Sequence, residues 1–128
     1  MPFDSQATVL LHNPRCSKSR AVKALLDGAG IGYVERHYLE DPLDAVELAE
    51  LRVLLGRPAN EWVRTKEQAY AALGLDAGSG DAAHFAAIAQ EPGLLERPIV
   101  VHGGNARVGR PPENVMQLFS RNNASAGE

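Results

Sequence analysis

The stretch HNPRCSKSR, His12–Arg20, joins a short apolar run to a helix-like segment and contains the single cysteine of the chain, Cys16. The run before it, TVLLH at Thr8–His12, is β-branched and apolar, which is typical of a buried strand. From Ser17 onward, apolar residues recur at helical spacing until a series of glycines. The pattern therefore predicts a strand, a loop that carries the cysteine, and a helix that begins beside it.

The residues after this helix predict a second strand over Tyr33–Leu39. A strand, a helix and a strand in this order usually form a crossover with two parallel strands. Helical patterns then follow one another over residues 42–92, with N-terminal caps expected at Asp41, Asn60 and Asp81. The helix capped by Asn60 is expected to reach Thr65.

The C-terminal part of the chain predicts a β-hairpin and a final helix. Ile99–His102 is a strand-like run, Gly103-Gly104-Asn105 is a turn signal, and the ARV that follows returns as a strand. The segment GRPPENVMQLF places proline and glutamate in the first turn of a helix, where both residue types are favourable.

This order of elements predicts an α/β protein with a thioredoxin-like fold: a mixed four-stranded sheet flanked by helices, with a helical insertion. We expect a single domain over residues 1–120, the insertion at about residues 42–92, and a flexible tail over residues 121–128. A length of 128 residues suits one domain with one core.

The composition excludes several classes of function. A net charge of -3 offers no broad basic surface for nucleic acid or anionic lipid. No apolar run approaches the roughly 20 residues that span a bilayer. One cysteine excludes an internal disulfide framework and a Cys-rich zinc site, and the histidines lack metal-ligand spacing, so we expect no metal. A reducing, cytoplasmic location fits this cysteine usage best.

Cys16 is the candidate nucleophile. The reactive form of cysteine is the thiolate, and a helix N-terminus stabilises that anion through free backbone N–H groups and the helix dipole. Arg15, Lys18 and Arg20 can add positive potential, depending on which of them point inward. The alternative is an inert buried cysteine, but a polar, cationic turn favours an activated thiol.

The residues around Cys16 argue against two related chemistries. A dithiol oxidoreductase carries Cys-x-x-Cys, whereas here Ser19 stands where the resolving thiol would be. A phosphatase loop of the Cys-x5-Arg type is also absent, because Arg20 lies four residues after Cys16. What remains is a monothiol nucleophile that needs an external thiol, for which glutathione and glutaredoxin are the expected partners.

Three stretches, HNPRCSKSR, ERPIVV and ARVGRPPENV, occur in this order. Together they resemble the glutaredoxin-dependent arsenate reductase (ArsC) family, in its YfgD-like branch, from about Thr8 to Phe119. The resemblance implies a thioredoxin-like fold with a helical insertion and a catalytic cysteine at Cys16.

The same resemblance implies that three arginines bind the oxyanion: Arg64 in WVRTKE, Arg97 in ERPIVV and Arg110 in GRPPE. It also implies a cis peptide bond between Arg97 and Pro98. A guanidinium is a rigid donor fork that stays ionised, which suits a tetrahedral anion such as arsenate. Five other arginines are expected to be solvated surface residues: Arg36, Arg52, Arg57, Arg107 and Arg121.

His12 matches a family histidine thought to help activate the thiol, and the alternative is a strand-end histidine that bonds to the backbone. Asn13 is expected to shape the loop, and Ser17 and Ser19 to cap the helix or donate to a bound anion. The loop expected to support the thiol comprises Asn13, Ser17, Ser19, Arg20 and Pro98.

The function implied by the resemblance is the reduction of arsenate to arsenite by the Cys16 thiolate, with no bound cofactor and with glutathione as co-substrate. Two alternatives stay open. One is a general glutathione-dependent thiol oxidoreductase. The other is a non-catalytic regulator like the related Spx proteins, which bind RNA polymerase; many of these use a Cys-x-x-Cys switch, which Ser19 removes here.

Overall fold

The structure is a computed structural model that describes Phe3 and residues 6–119, so the expected tail over residues 121–128 lies outside the described residues. One sheet organises the described chain, with the strand order β2-β1-β3-β4. Its strands are β1 (Thr8–Leu11), β2 (Val34–Arg36), β3 (Ile99–His102) and β4 (Asn105–Val108). The first two strands are parallel and the other pairings are antiparallel, which gives the mixed thioredoxin-like sheet that the sequence predicts.

The helices follow the predicted order, with local differences in type. The α-helices are α1 (Ser17–Gly28), α2 (Ala45–Leu55), α3 (Gln68–Ala72) and α4 (Asp81–Gln90). In the part of the chain that the structure describes, three 3-10 helices cover Ala59–Glu61, Pro92–Leu94 and Pro112–Phe119, and the last of these replaces the expected final α-helix. Within the described residues, no helix has the length and apolar character needed to cross a membrane.

Strand β2 and the start of α2 differ from the prediction. The strand ends at Arg36 rather than Leu39, because the chain turns at His37, whose carbonyl accepts from the amides of Glu40 and Asp41. Helix α2 begins three residues later than expected. Its cap is Asp44, which accepts from the amide of Glu47 while the Glu47 carboxylate accepts from the amide of Asp44. This reciprocal capping box overrides the Asp-Pro signal at residues 41–42.

Two further caps were wrong. Asp81 is the first residue of α4 and not its cap; its carboxylate accepts instead from the amide of Ala59 and from Nε of Arg52, each at 2.9 Å. The helix expected from Asn60 to Thr65 is only the 3-10 turn Ala59–Glu61, because the next residues pair in extended form with the chain just before β3.

Alternation along the strands sends neighbouring residues to two separate cores. Leu10 and Val100 face α1 and the last 3-10 helix, whereas Leu11 and Val101 face α2, α4 and the segments around them. Trp62 is 1% exposed, and its ring stacks on Phe85 with centroids 6.1 Å apart. The sheet is therefore a middle layer between helices on both faces.

One edge of the sheet gathers four chain segments. The parallel strands β1 and β2 both end there, since Leu11 pairs with Arg36. Strand β3 begins there, because its first residue, Ile99, is paired with Leu11. Strand β4 ends there as well, because its last residue, Val108, is paired with Ile99. The loops that leave this edge carry most of the residues singled out by the sequence.

Candidate active site

Cys16 is the N-cap residue of α1, with φ −92° and ψ 124°, and its side chain makes no capping hydrogen bond. The loop before it is held by Asn13, whose main-chain oxygen accepts from the amide of Cys16 and whose Oδ1 accepts from the amide of Arg15, each at 3.0 Å. Arg20 donates from Nη1 to the carbonyl of Pro14. The expected loop-shaping role of Asn13 thus has a geometric basis, and the half-buried sulfur lies at the open end of a helix.

The pKa of the Cys16 thiol lies below its ordinary value, although two opposing effects act on it. Burial acts to raise this pKa, and the backbone N–H groups of Ser19 and Lys18 and the guanidinium of Arg97 outweigh it. The cation that matters most is therefore Arg97, which comes from a different part of the chain, and not an arginine or lysine of the loop itself. A lowered pKa makes the thiolate, the reactive form, more abundant at neutral pH.

Arg97 directly precedes β3 at the same edge of the sheet as Cys16. Its Nε and Nη1 atoms are buried and have no hydrogen-bond partner among the described residues. The peptide bond to the buried Pro98 is cis, as the resemblance implied. Buried donors without acceptors are costly, and they mark the place where an acceptor-rich ligand would gain most.

Gly109 lets the end of β4 approach Pro98. Its amide donates to the carbonyl of Pro98 at 2.8 Å. A Cβ atom at this position would lie 2.7 Å from a methyl group of Val22 and 2.9 Å from Cγ of Pro98, which is closer than real side chains come. Glycine therefore holds the following residue, Arg110, next to the segment that carries Arg97.

Arg64 and Arg110 line a common pocket of about 400 Å³, and Cys16 and Arg97 do not line that pocket. Arg64 is placed by its amide, which donates to the carbonyl of Leu94 at 2.7 Å. Unlike Arg97, both pocket arginines have acidic partners.

The acidic partners of the two pocket arginines are both glutamates. Arg64 pairs with Glu67, and Nε of Arg110 forms an ion pair with Oε1 of Glu96 at 2.9 Å. The three predicted arginines therefore differ. Arg97 lies near the thiol and has side-chain donors without partners among the described residues, whereas Arg64 and Arg110 are each paired with a carboxylate.

His12 is 3% exposed and its ring does not bond to the backbone. Nδ1 lies 2.6 Å from Oγ of Ser19, and that hydroxyl also accepts from the amide of Asn13 at 3.0 Å. Burial is the largest effect on His12 and lowers its pKa, with the charge of Glu35 opposing it. A neutral His12 is thus coupled, through Ser19, to the first turn of the helix that Cys16 begins.

Several expectations for the surrounding residues were wrong. Neither Ser17 nor Ser19 caps α1, since Cys16 occupies that position; Ser17 is exposed and Ser19 is fully buried against His12. The alternative that these serines donate to a bound anion stays a prediction. Three arginines expected on the surface are partly buried: Arg36, Arg52, which pairs with Asp81, and Arg107. Arg36 pairs with Glu47 and Asp41, and Arg107 has a buried Nε atom without a partner among the described residues.

Tyr38 and the two glutamates that hold Arg64 and Arg110 were not predicted as site residues. Tyr38 is 1% exposed, and its hydroxyl is in electrostatic contact with Cys16, Arg97 and Arg64. The predicted strand Tyr33–Leu39 contained Tyr38, whereas the observed strand ends at Arg36 and leaves Tyr38 in the segment that follows it. Among the described residues, no cluster of three or more histidine, cysteine or acidic side chains could hold a metal ion.

The fold and the site define a thioredoxin-like protein with a lone, activated thiol at a helix N-terminus and arginines on the same edge of the sheet. The family model described as "ArsC family" matches residues 11–118. The chain belongs to the ArsC family, and the resemblance read from its motifs is confirmed.

Known relatives extend over almost the whole chain. The uncharacterized protein YfgD of Escherichia coli (strain K12) is 45% identical over 111 residues, which are 85% of this chain and 93% of YfgD. An arsenate reductase of Neisseria meningitidis serogroup A is 47% identical over 112 residues, 86% of this chain and 96% of the relative. The solved structure of an arsenate reductase from Vibrio cholerae is 44% identical with a TM-score of 0.84 and covers 90% of this chain and 99% of its own.

Proposed function

We propose that this protein reduces arsenate to arsenite with Cys16 as its nucleophile. The observation that carries the proposal is the placement of Arg97. Its two buried donor atoms lack partners among the described residues, and its charge lowers the pKa of the neighbouring thiol. A thiolate beside unpaired guanidinium donors is suited to attack the centre of a bound oxyanion, because the donors neutralise the charge that would otherwise repel the nucleophile.

In the first step, the Cys16 thiolate attacks arsenic and forms a sulfur–arsenic bond. One arsenate oxygen leaves as water after it is protonated. Arg97 binds the remaining oxygens through paired hydrogen bonds, which a guanidinium can form and an ammonium cannot. Arg64 and Arg110 complete the binding by exchanging their carboxylate partners for the oxyanion.

The second half of the cycle uses external thiols. Glutathione attacks arsenic in the adduct, and a second arsenate oxygen leaves as water. The thiolate of glutaredoxin then attacks the glutathione sulfur, so that the bond between this sulfur and arsenic breaks and its electron pair stays on arsenic. Water finally displaces Cys16 from arsenic and releases arsenite. The two electrons that convert arsenic(V) to arsenic(III) come from one thiol of glutathione and one of glutaredoxin, which end as a mixed disulfide. Cys16 returns to its starting thiolate state. The chain has no second cysteine that could resolve the adduct, which supports the need for external thiols.

The test is a coupled assay with arsenate, glutathione, glutaredoxin, glutathione reductase and NADPH. Arsenate-dependent NADPH oxidation that requires both glutathione and glutaredoxin is the expected result. Activity on small mixed disulfides with none on arsenate would favour the general thiol oxidoreductase instead. Capture of RNA polymerase subunits by a protein without either activity would favour the regulator.

A further inference from the structure

Tyr38 lies where the thiol loop meets the end of β2. The strand ends at Arg36, and the amide of His12 still donates to the carbonyl of that residue, so the chain after β2 runs next to the chain after β1. Tyr38 follows two residues later and is 1% exposed, with its ring in the core cluster that contains Leu11 and Ile99. The side chain is therefore fixed by packing and needs no hydrogen bond to hold it in place.

The hydroxyl of Tyr38 is buried without a hydrogen-bond partner among the described residues. The Asn13 side chain lies near enough to lower the pKa of Tyr38, but it does not meet the distance and angle of a hydrogen bond to the hydroxyl. The two other tyrosines are bonded. The hydroxyl of Tyr70 donates to the carbonyl of Asp76 at 3.1 Å and lies 2.9 Å from Nε2 of His84. The hydroxyl of Tyr33 donates to Oδ1 of Asp27 at 2.7 Å. Because an unpaired buried hydroxyl is unfavourable, Tyr38 needs an explanation of its own.

The neighbours of this hydroxyl are the residues of the candidate site. Cys16, Arg97 and Arg64 all act on it electrostatically. Burial, the largest effect, raises the pKa of Tyr38 to about 12, the charge of Cys16 adds to the rise, and the two arginines oppose it. The hydroxyl thus keeps its proton at neutral pH and remains a donor. Unpaired donors of Tyr38 and Arg97 accordingly lie around the same thiol.

We propose that Tyr38 donates a hydrogen bond from its hydroxyl to an oxygen of the tetrahedral oxyanion bound at Cys16. This inference rests on the proposed function, because it assigns Tyr38 to the binding of the same substrate class. A neutral donor that packing holds in place stabilises charge on an oxygen without reorganising during the reaction. It also adds no positive charge, so the site gains an oxyanion contact without a further cation next to the thiol.

The experiment compares Tyr38→Phe with the matched control Tyr70→Phe, since both remove one buried hydroxyl and keep the ring. The first readout is the sulfate concentration that half-protects Cys16 from iodoacetamide, because sulfate is a tetrahedral oxyanion that does not react with thiols. The second is kcat/KM for arsenate, and the third is the thermal midpoint of unfolding.

We expect Tyr38→Phe to need about tenfold more sulfate and to lose about tenfold or more in kcat/KM, the effect of one hydrogen bond to a charged group. Its thermal midpoint should stay equal or rise, since an unpaired hydroxyl is removed. Tyr70→Phe should show the reverse: a lower midpoint, from the loss of its bonds to Asp76 and His84, and unchanged sulfate protection and kcat/KM.

Two outcomes would overturn the assignment of Tyr38. One is unchanged sulfate protection in Tyr38→Phe, and the other is an absence of sulfate protection in the wild type. The proposed function is tested independently of the Tyr38 assignment. If the wild type does not reduce arsenate but Tyr38→Phe still weakens sulfate protection, Tyr38 is an oxyanion donor in a protein with a different substrate. If the wild type reduces arsenate and Tyr38→Phe equals it in both readouts, only the Tyr38 inference is wrong.

Discussion

The side chain of Arg110 donates from Nε to the main-chain carbonyl of Arg97 at 3.0 Å. The same Nε also forms an ion pair with Oε1 of Glu96 at 2.9 Å. This contact braces the segment that places Arg97 beside the thiol. A change at Arg110 will therefore act both on the pocket that Arg110 lines and on the position of Arg97.

Replacing Cys16 with serine is expected to abolish arsenate reduction and leave the fold intact. A hydroxyl at this position is a far weaker nucleophile than a thiolate. The Cys16 side chain makes no capping hydrogen bond and is only half-buried, so little stability depends on it. The coupled assay measures turnover, and thermal unfolding followed by circular dichroism checks the fold. Turnover near the wild-type rate in Cys16→Ser would remove Cys16 from the mechanism.

The thiol of Cys16 is expected to ionise at a lower pH than a free cysteine. Burial opposes this shift, but the amides of Ser19 and Lys18 and the charge of Arg97 outweigh it. The rate of iodoacetamide alkylation, followed against pH, reports the midpoint. That midpoint should lie below about 8.5, the value for an unperturbed cysteine, and should rise in Arg97→Gln. A midpoint at or above the free-cysteine value would contradict the activated thiol.

The same shift links stability to pH. Because the pKa of Cys16 is lower in the folded state, the folded protein binds the thiol proton more weakly than the unfolded chain does. The resulting stabilisation is complete above the unfolded-state pKa and is lost as pH falls through the folded-state pKa. The free energy of unfolding of the wild type, relative to Cys16→Ser, should thus increase between neutral and mildly alkaline pH.

Sequence patterns located the thiol, its helix and the sheet because these features are encoded by neighbouring residues. The strand-loop-helix order around Cys16 and the hairpin after Ile99 are such cases. Contacts between residues that are far apart in the sequence were harder to predict. The charge that lowers the pKa of Cys16 comes from Arg97, and only the motif around Arg97, not the residues next to the thiol, pointed to it.

Local signals also competed with one another. Asp41-Pro42 is a good helix start, yet Asp44 forms the capping box, since only its partner three residues later is a glutamate that reaches back. Tyr38 lay inside a predicted strand, so its inward-facing hydroxyl had no signal of its own. Arg107 reads as a surface residue, and its partial burial depends on how β4 packs against the last 3-10 helix, which the sequence does not specify.

Glu96 is expected to compete with the oxyanion for Arg110. Its carboxylate forms an ion pair with Nε of Arg110, and its negative charge lies in the same pocket. Glu96→Gln should therefore lower KM for arsenate by about two- to fivefold, the range expected when a partly exposed ion pair is removed. Steady-state kinetics measure the change. Glu61→Gln, which removes the partner of the exposed Arg57, is the control and should leave KM unchanged. A higher KM in Glu96→Gln would mean that Glu96 supports binding by positioning Arg110.

Arg97 and Arg110 are expected to differ when each is replaced by lysine. Lysine keeps the charge but loses the planar fork, so Arg97→Lys removes the paired hydrogen bonds to the oxyanion. We expect this change to cost roughly 1.5–3 kcal/mol of transition-state stabilisation, which is about tenfold to a hundredfold or more in kcat/KM. Arg110→Lys should also lower kcat/KM, but by less, because Nε of Arg110 is already engaged with Glu96 and the carbonyl of Arg97.

The control for both variants is Arg57→Lys. The Arg57 side chain is 69% exposed and pairs only loosely with Glu61, at 3.6 Å. The kcat/KM of Arg57→Lys should therefore equal that of the wild type. Arsenate-dependent NADPH oxidation compares the three variants, and circular dichroism confirms that each is folded. If Arg97→Lys matches Arg57→Lys, the guanidinium of Arg97 does not bind the oxyanion through its fork. If Arg110→Lys loses more activity than Arg97→Lys, the pocket that Arg110 lines, and not the donors beside Cys16, holds the oxyanion.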